Sequence, residues 1–194
     1  MKLFMTPGAC SLADHIALTE AGIAVEPVRV DLATRRTEHG DDFTRVNPKG
    51  YVPALAFDDG EVLTENVAIM DWVAGEAPHL VPKGSLGRSR NIEMLAFLAT
   101  EVHRPFMRSM FSPAEAEKQA ALEAIVARLK LVGEKMEGDY LFGDSFSTAD
   151  ALLYVMVRWA RDSGFVLPES LLAYVQRVEA RPAVQDTLRA EGLV

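Results

Sequence analysis

The chain has 194 residues, 49% hydrophobic and 25% charged, a composition typical of a globular protein with one medium domain or two small ones. Its net charge of −8 and the absence of a basic run argue against nucleic acid or an anionic membrane as a partner. A single cysteine excludes an internal disulfide, no Cys or His spacing predicts a metal site, and no apolar run suits a membrane span or a signal peptide. We therefore expect a cytoplasmic protein without a metal cofactor.

The first part of the chain alternates between strand and helix signals. Residues 3–5 are apolar and predict a short strand that ends at a Thr-Pro-Gly turn. Ser11 is expected to cap a helix that stops at Gly22, with Asp14 completing a variant of the capping box. The elements that follow are a strand at 25–30, a polar loop at 31–42 and a short helix near 43–46.

The stretch from Val46 to Ile69 organises this part of the chain. It predicts a loop, a short strand, an Asp-Gly hairpin, a second strand and a helix that starts near Glu65 or Asn66. A cis bond before Pro53 would leave the N–H and C=O of Val52 free to pair with an extended peptide. The helix start would offer free N–H groups to an anion. The pattern therefore suits a small peptide with a carboxylate at one end.

The second part of the chain carries helix signals only. Two prolines and a glycine at 78–84 indicate a linker, and a helical pattern then runs from 86 to 111 across Pro105. Further helices are predicted from Ser112 to about residue 137, after a capping box formed by Ser147 and Asp150, and in two terminal segments that begin near Pro168 and Pro182.

Three motifs resemble those of one family. Val-Pro-Ala-Leu at 52–55, followed by Leu-Thr-Glu-Asn-Val-Ala-Ile at 63–69, resembles the glutathione-binding core of the glutathione S-transferases. Thr-Pro-Gly-Ala-Cys-Ser at 6–11 is similar to the bacterial beta class, and the Ser-x-Ala-Asp box at 147–150 is similar to the one that starts the central helix of the family's helical domain. The resemblance covers nearly the whole chain.

The resemblance implies an α/β domain followed by an all-α domain. A thioredoxin-like, glutathione-binding domain at 1–77 would be joined by the linker at 78–84 to a C-terminal helical bundle domain at 85–194. Glutathione would bind to the first domain and an apolar electrophile to the second, in a cleft between the two. The implied activity is that of a glutathione S-transferase in detoxification, with glutathione as co-substrate and a homodimer as the assembly.

Cys10 is the first candidate for chemistry. A lone intracellular cysteine is commonly a small buried hydrophobe, but at a helix N-terminus free N–H groups stabilise a thiolate, so a lowered pKa is predicted. Position alone leaves these two readings equal. The resemblance favours function, because beta-class transferases hold this cysteine beside the sulfur of glutathione. Ser11 and Thr6 are alternative donors to that sulfur.

The glutathione-binding residues follow from the resemblance. The tripeptide would lie along Val52 and Pro53, with its ammonium at Glu65 and its γ-glutamyl carboxylate at Asn66. One of the two loop arginines, Arg35 rather than Arg36, is expected to pair with the glycyl carboxylate in the way a lysine does in related proteins. Each residue also has an ordinary reading, as a loop charge or a residue favoured at a helix start.

In the long helix, Ala96, Thr100 and His103 share one face by spacing, and Thr-Glu-Val-His at 100–103 resembles the segment with which the family lines its cleft. His103 could polarise a thiol or take its proton. Glu101 resembles an acid that the family contributes across its dimer interface. The electrophile is expected to contact a group of poorly patterned apolar residues: Phe106, Met107, Met110 and Phe111.

Two other functions remain open at this stage. One is a glutathione-dependent thiol-disulfide oxidoreductase in which Cys10 is itself the nucleophile. The other is a non-catalytic ligand carrier or regulatory protein on the same scaffold. A carrier needs no thiol chemistry, so the presence of Cys10, Glu65 and His103 together argues against it.

Overall fold

The computed structural model describes every residue from Met1 to Val194 and resolves two compact units. The first contains Met1–Pro78 together with Ala180–Val194, and the second contains His79–Glu179.

A five-stranded sheet forms the centre of the first unit. Its elements are β1 (Lys2–Met5), α1 (Ser11–Glu20), β2 (Glu26–Asp31), β3 (Arg36–Thr37), β4 (Ala54–Ala56), β5 (Val62–Thr64) and α2 (Asn66–Glu76). The strands lie in the order β3-β2-β1-β4-β5, with β1 parallel to β2 and antiparallel to β4. This is the thioredoxin-like arrangement that the order of sequence signals predicted. Only β3, two residues inside the predicted polar loop, was missed.

The start of α1 differs from the prediction. Cys10, not Ser11, is the N-cap residue, and it makes no side-chain capping bond. The Ser11 hydroxyl turns back to the loop, where it accepts a hydrogen bond from the Thr6 N–H at 3.2 Å. Asp14 does not complete a capping box, because its carboxylate accepts from the side-chain amide of Asn66 on α2. α1 is buried from Ser11 to Leu18, so a polar side chain there must bond to a neighbouring element.

An apolar cluster anchors the residues before β4. Phe4 of β1 and Phe43, in a short 3-10 turn, pack with ring centroids 5.5 Å apart. Val52 belongs to the same cluster, with 4% of its surface exposed. Burial of a valine side chain stabilises its position by about 1.5–3 kcal/mol. The sheet therefore fixes the backbone of Val52.

The second unit is entirely helical. Its helices are α3 (Gly87–Phe97), α4 (Arg104–Phe111), α5 (Glu115–Glu134), α6 (Thr148–Asp162) and α7 (Glu169–Glu179), with a π-helical segment at Leu98–His103 between α3 and α4. The sequence predicted one continuous helix from 86 to 111, where the structure has α3, the π-helical segment and α4. Pro105 lacks an N–H and would clash with the carbonyl of Glu101 in a regular helix, which accounts for the wider turn just before it.

A capping box starts α6 as predicted. The Ser147 hydroxyl accepts a hydrogen bond from the Asp150 N–H, and the Asp150 carboxylate accepts from the Ser147 N–H at 2.9 Å. The same carboxylate accepts from the Leu141 N–H at 2.9 Å. Burial raises the pKa of Asp150 to about 6. Asp150 therefore joins the start of α6 to the loop before it.

The last helix, α8 (Pro182–Glu191), belongs to the first unit, whereas the sequence-based range placed it with the helical bundle. Its buried carboxylate, Glu191, lies 3.0 Å from His15 Nδ1 and accepts from the Gly8 N–H at 2.9 Å. Arg181 donates twice to Glu20 of α1, at 2.6 and 2.8 Å. These polar contacts hold α8 on α1. Residues so far apart in sequence give no local signal of such pairing.

The chain forms no helix with the length and apolar character needed to cross a bilayer.

We predict that Asp150→Ala lowers the free energy of unfolding by about 3 kcal/mol, because two buried N–H groups lose their acceptor. Chemical denaturation monitored by circular dichroism measures this loss. Asp162→Ala, at the exposed end of the same helix, is the control and should change stability by less than about 0.5 kcal/mol. Equal losses for the two variants would show that the box does not stabilise the fold.

Candidate functional site

The peptide group of Val52 lies close to the only thiol. The Val52–Pro53 bond is cis, as expected from the sequence. The Val52 carbonyl accepts a hydrogen bond from Cys10 Sγ at 3.7 Å, and no backbone group of the chain pairs with the Val52 N–H. A carbonyl oxygen has two lone pairs, so it can accept a second donor. An extended peptide paired with Val52 would therefore run past Cys10.

The Cys10 thiol has a raised pKa, contrary to the prediction. Burial of the sulfur is the main cause, and the negative charge of Asp14 adds to it, so that the pKa reaches about 12. The N–H groups of Ser11 and Cys10 act in the predicted direction and lower the pKa, but by less. The helix start does favour a thiolate, as the sequence suggested. Its effect is outweighed because the sulfur is buried beside a carboxylate.

The side chain of Asn66 is hydrogen-bonded within the protein. Its NH2 group donates to the Cys10 carbonyl at 3.1 Å and to Asp14 Oδ2 at 2.5 Å. Both partners are acceptors, so the amide nitrogen must face them. The predicted use of this amide for a ligand carboxylate would require these bonds to break. The backbone N–H of Asn66, in the first turn of α2, is unaffected by this arrangement.

Glu65 stands just before α2 in an unusual conformation, with φ 79° and ψ 129°. A non-glycine residue rarely adopts this region, and such positions cluster at ligand sites. Its carboxylate accepts from the Lys49 ammonium and from the Tyr51 hydroxyl at 2.9 Å. Both partners lie on the loop before Val52, and the hydrogen bond to Glu65 raises the pKa of Lys49. The loop and the start of α2 thus meet at an exposed carboxylate.

Arg35 also reaches this loop. Its side chain lies so close to Gly50 that a Cβ atom there would stand 3.1 Å from Arg35 Nε. Gly50 has φ 73°, which an L-residue would adopt at a cost. Arg36 instead donates to the Gly40 carbonyl at 2.7 Å. The geometry thus favours Arg35 over Arg36 as the arginine beside the candidate site.

In the second unit, the π-helical segment changes the expected helix face. Thr100 is exposed and donates to the Ala96 carbonyl at 3.0 Å, whereas His103 is half-buried with its ring 5.6 Å from that of Trp159. Glu101 pairs with Arg128 at 3.1 Å. The i, i+4, i+7 spacing of a regular helix therefore does not describe these residues.

The four predicted electrophile contacts have different environments. Phe106 is a core residue with 3% of its surface exposed, packed edge-on to Trp159 with ring centroids 5.4 Å apart. Met107 is half-buried, and Met110 and Phe111 are 62% and 74% exposed. A cavity of about 340 Å³ between α4 and α5 is lined by other residues: Pro105, Arg108, Glu117, Ala120, Ala121 and Ala124. The four apolar residues do not form one continuous lining.

No group of three or more His, Cys, Asp or Glu side chains is arranged as a metal site.

Comparison with known proteins gives the family. The family described as "Glutathione S-transferase, N-terminal domain" matches residues 9–76, and the family described as "Glutathione S-transferase, C-terminal domain" matches residues 95–182. The glutathione S-transferase GstA of Escherichia coli O157:H7 is 44% identical, with all of both chains covered. This chain belongs to the glutathione S-transferase family.

Solved transferase structures agree over the full length. A sphingomonad glutathione S-transferase in complex with glutathione is 45% identical, with a TM-score of 0.92 and all of both chains covered. A beta-class transferase of Sphingomonas chungbukensis is 46% identical, with the same TM-score and coverage. The resemblance found in the sequence motifs, including that to the beta class, is thus confirmed.

Sequence reasoning missed two residues with structural roles around the site of this transferase. Asn47 is buried and holds the loop, since its side chain donates to the Tyr51 carbonyl at 2.7 Å and accepts from the Lys49 N–H at 3.2 Å. The Asn-Pro-Lys-Gly sequence is a turn signal that could have identified it. His15, for which the neighbouring residues in sequence suggest no partner, lies 3.0 Å from the Glu191 carboxylate.

We predict that Cys10 of the folded protein reacts with iodoacetamide at pH 8 more than about a hundredfold more slowly than in the urea-unfolded chain, where a free cysteine has a pKa near 8.5. Mass spectrometry measures the rate without ambiguity, because the chain has one cysteine. The rate for the folded protein should still rise above pH 10. An alkylation rate that reaches its plateau below pH 8 would contradict the raised pKa of Cys10.

Proposed function

We propose that this transferase joins the sulfur of glutathione to an apolar electrophile. The glutathione thiolate attacks an electrophilic carbon, a carbon–sulfur bond forms, and the leaving group departs with its electron pair. The observation that carries the proposal is the 3.7 Å contact between the Val52 carbonyl and Cys10 Sγ at the start of α1. A peptide thiol paired with Val52 would bring its own sulfur to the N–H groups at the start of α1.

Charge supports this orientation of the tripeptide. Glutathione carries an ammonium and a carboxylate at its γ-glutamyl end, and a second carboxylate at its glycyl end. The exposed Glu65 carboxylate suits the ammonium, and the free N–H groups in the first turn of α2 suit the adjacent carboxylate. Arg35, beside Gly50, suits the glycyl carboxylate. Four further residues remain predicted contributors to the site: Ser11, Thr100, Glu101 and His103. The homodimeric assembly and the cytoplasmic location also remain predictions.

The reading of Cys10 as a nucleophile in disulfide exchange is less favoured. Exchange requires a thiolate, and burial together with Asp14 raises the pKa of Cys10 to about 12. The ligand-carrier reading predicts binding without turnover. Incubation with glutathione and an aryl halide separates the transferase reading from the carrier reading. The transferase reading predicts steady release of the thioether product, whereas tight binding of apolar dyes without product would indicate a carrier.

We predict that Cys10→Ala retains conjugation of the aryl halide, with kcat/KM within about threefold of the original, because the reacting sulfur belongs to glutathione. Spectrophotometric assay of the thioether measures this. The same variant should form no mixed disulfide with glutathione. Loss of conjugation in a folded variant would show instead that Cys10 takes part in a common thiol step.

We predict that Glu65→Gln raises KM for glutathione about tenfold with little change in kcat, since an ion pair with the ammonium contributes about 1.4 kcal/mol to binding. Steady-state kinetics with glutathione varied at a fixed aryl halide concentration measure the split. Glu61→Gln, an exposed acid just before β5, is the matched control and should leave KM unchanged. An equal KM for both variants would remove Glu65 from the site.

A further inference from the structure

Asp14 is a buried acid that no cation neutralises. Its side chain has no exposed surface, and no ion pair includes it. Oδ2 accepts one hydrogen bond, from Asn66 at 2.5 Å, and Oδ1 is buried with no hydrogen-bond partner. An ionised carboxylate without a neighbouring cation is costly in such a place, so the neutral acid is favoured. Stability alone does not explain an acid at this position.

The acid is directly connected to Cys10. The two residues lie one helical turn apart, and side chains at this spacing share a helix face. The Nδ2 atom of Asn66 donates to both the Cys10 carbonyl and Asp14 Oδ2, at 3.1 and 2.5 Å. One nitrogen atom therefore bridges the two residues. Between them lies low-dielectric protein, where charges interact more strongly than in water.

The other groups around this pair are also acidic or already paired. Just before α2, Glu65 adds a further negative charge that raises the pKa of Cys10. On α8, the charge of Glu191 raises the pKa of Asp14. His15, which follows Asp14 on α1, faces Glu191 at 3.0 Å. No nearby cation therefore stabilises the ionised form of Asp14 or that of Cys10.

We propose that Asp14 reinforces the burial that keeps Cys10 a neutral thiol: once ionised, its uncompensated charge one helical turn away lowers the thiolate population of Cys10, so that glutathione supplies the reacting sulfur. The inference deepens the proposed function and rests on it for its biological meaning. Asp14 touches no substrate in this account. It acts only through the ionisation of Cys10 and is therefore not a catalytic residue.

The electrostatic reason is the order in which the two protons leave. A carboxylic acid is intrinsically far more acidic than a thiol, so Asp14 loses its proton first even when burial raises its pKa well above the usual range. The resulting negative charge then opposes ionisation of Cys10. At any pH high enough to ionise the thiol, the carboxylate already carries its charge. The charge of Asp14 thus suppresses the thiolate at every pH at which Asp14 is ionised.

Removal of the acid should expose the chemistry that it prevents. A Cys10 thiolate can attack one sulfur of glutathione disulfide, form a new disulfide with it, and release the other half as glutathione thiolate. No further oxidant is required, because one disulfide replaces another. The substitution is therefore expected to accelerate a thiol-exchange reaction that the raised pKa of Cys10 slows in the original chain.

Asp14→Asn tests the proposal, because the asparagine keeps the shape and can still accept the hydrogen bond from Asn66 but cannot carry a charge. The rate of Cys10 alkylation by iodoacetamide is measured between pH 6 and 11 by mass spectrometry, without glutathione. We expect about a tenfold higher rate at pH 9, which corresponds to a fall of about one unit in the thiol pKa. Glutathione disulfide should also modify this variant faster.

Glu76→Gln is the matched control, since it removes one negative charge from the exposed end of α2. An equal increase in that variant would overturn the proposal, as would an unchanged rate for Asp14→Asn. A rate raised in parallel at every pH would also overturn it, because that pattern indicates a loosened structure. If Asp14→Asn does not fold, Asp14→Ser is measured with the same criteria. Aryl halide turnover by the original chain is assayed separately, so failure of the proposed function is seen independently of these rates.

Discussion

The side-chain amide of Asn66 connects the amino-terminal ends of two helices, and the geometry of the candidate site depends on its hydrogen bonds. One nitrogen bonds to the Cys10 carbonyl at the start of α1 and to Asp14 one turn later, while its own backbone begins α2. Helix N-termini carry unpaired N–H groups and partial positive charge. Because the Asn66 amide holds the two helix N-termini side by side, they create a region that favours anions, although the side chains lining it are mainly acidic.

Opposing electrostatic effects then decide which groups ionise. The first N–H groups of α1 favour a thiolate at Cys10, as the position in sequence suggests. Burial and the neighbouring carboxylate oppose it more strongly, and their sum is a weakly acidic thiol. A ligand sulfur that is not buried in the protein would avoid the desolvation that raises the pKa of Cys10. The same N–H groups can therefore serve the ligand's thiolate better than the protein's own.

Much of the fold could be predicted because its signals are local. The cis-proline position, the hairpin, the short 3-10 turn at Phe43 and the Ser147–Asp150 box each follow from a few adjacent residues. The wrong predictions concern features that depend on distant parts of the chain. The pKa of Cys10 depends on burial by the whole unit, and α8 pairs with α1 through residues far apart in sequence. Asp14 was read as a local cap because its partner is on another helix.

The loop that leads into Cys10 shows how far such distant control extends. Glu191, near the end of the chain, accepts a hydrogen bond from the Gly8 N–H and lies against His15, so one buried carboxylate contacts residues on both sides of Cys10. The same charge raises the pKa of Asp14 and so favours its neutral form. A contact that orders the backbone therefore also adjusts the ionisation of the acid beside the thiol. Packing and proton affinity at this site are consequences of the same few polar contacts.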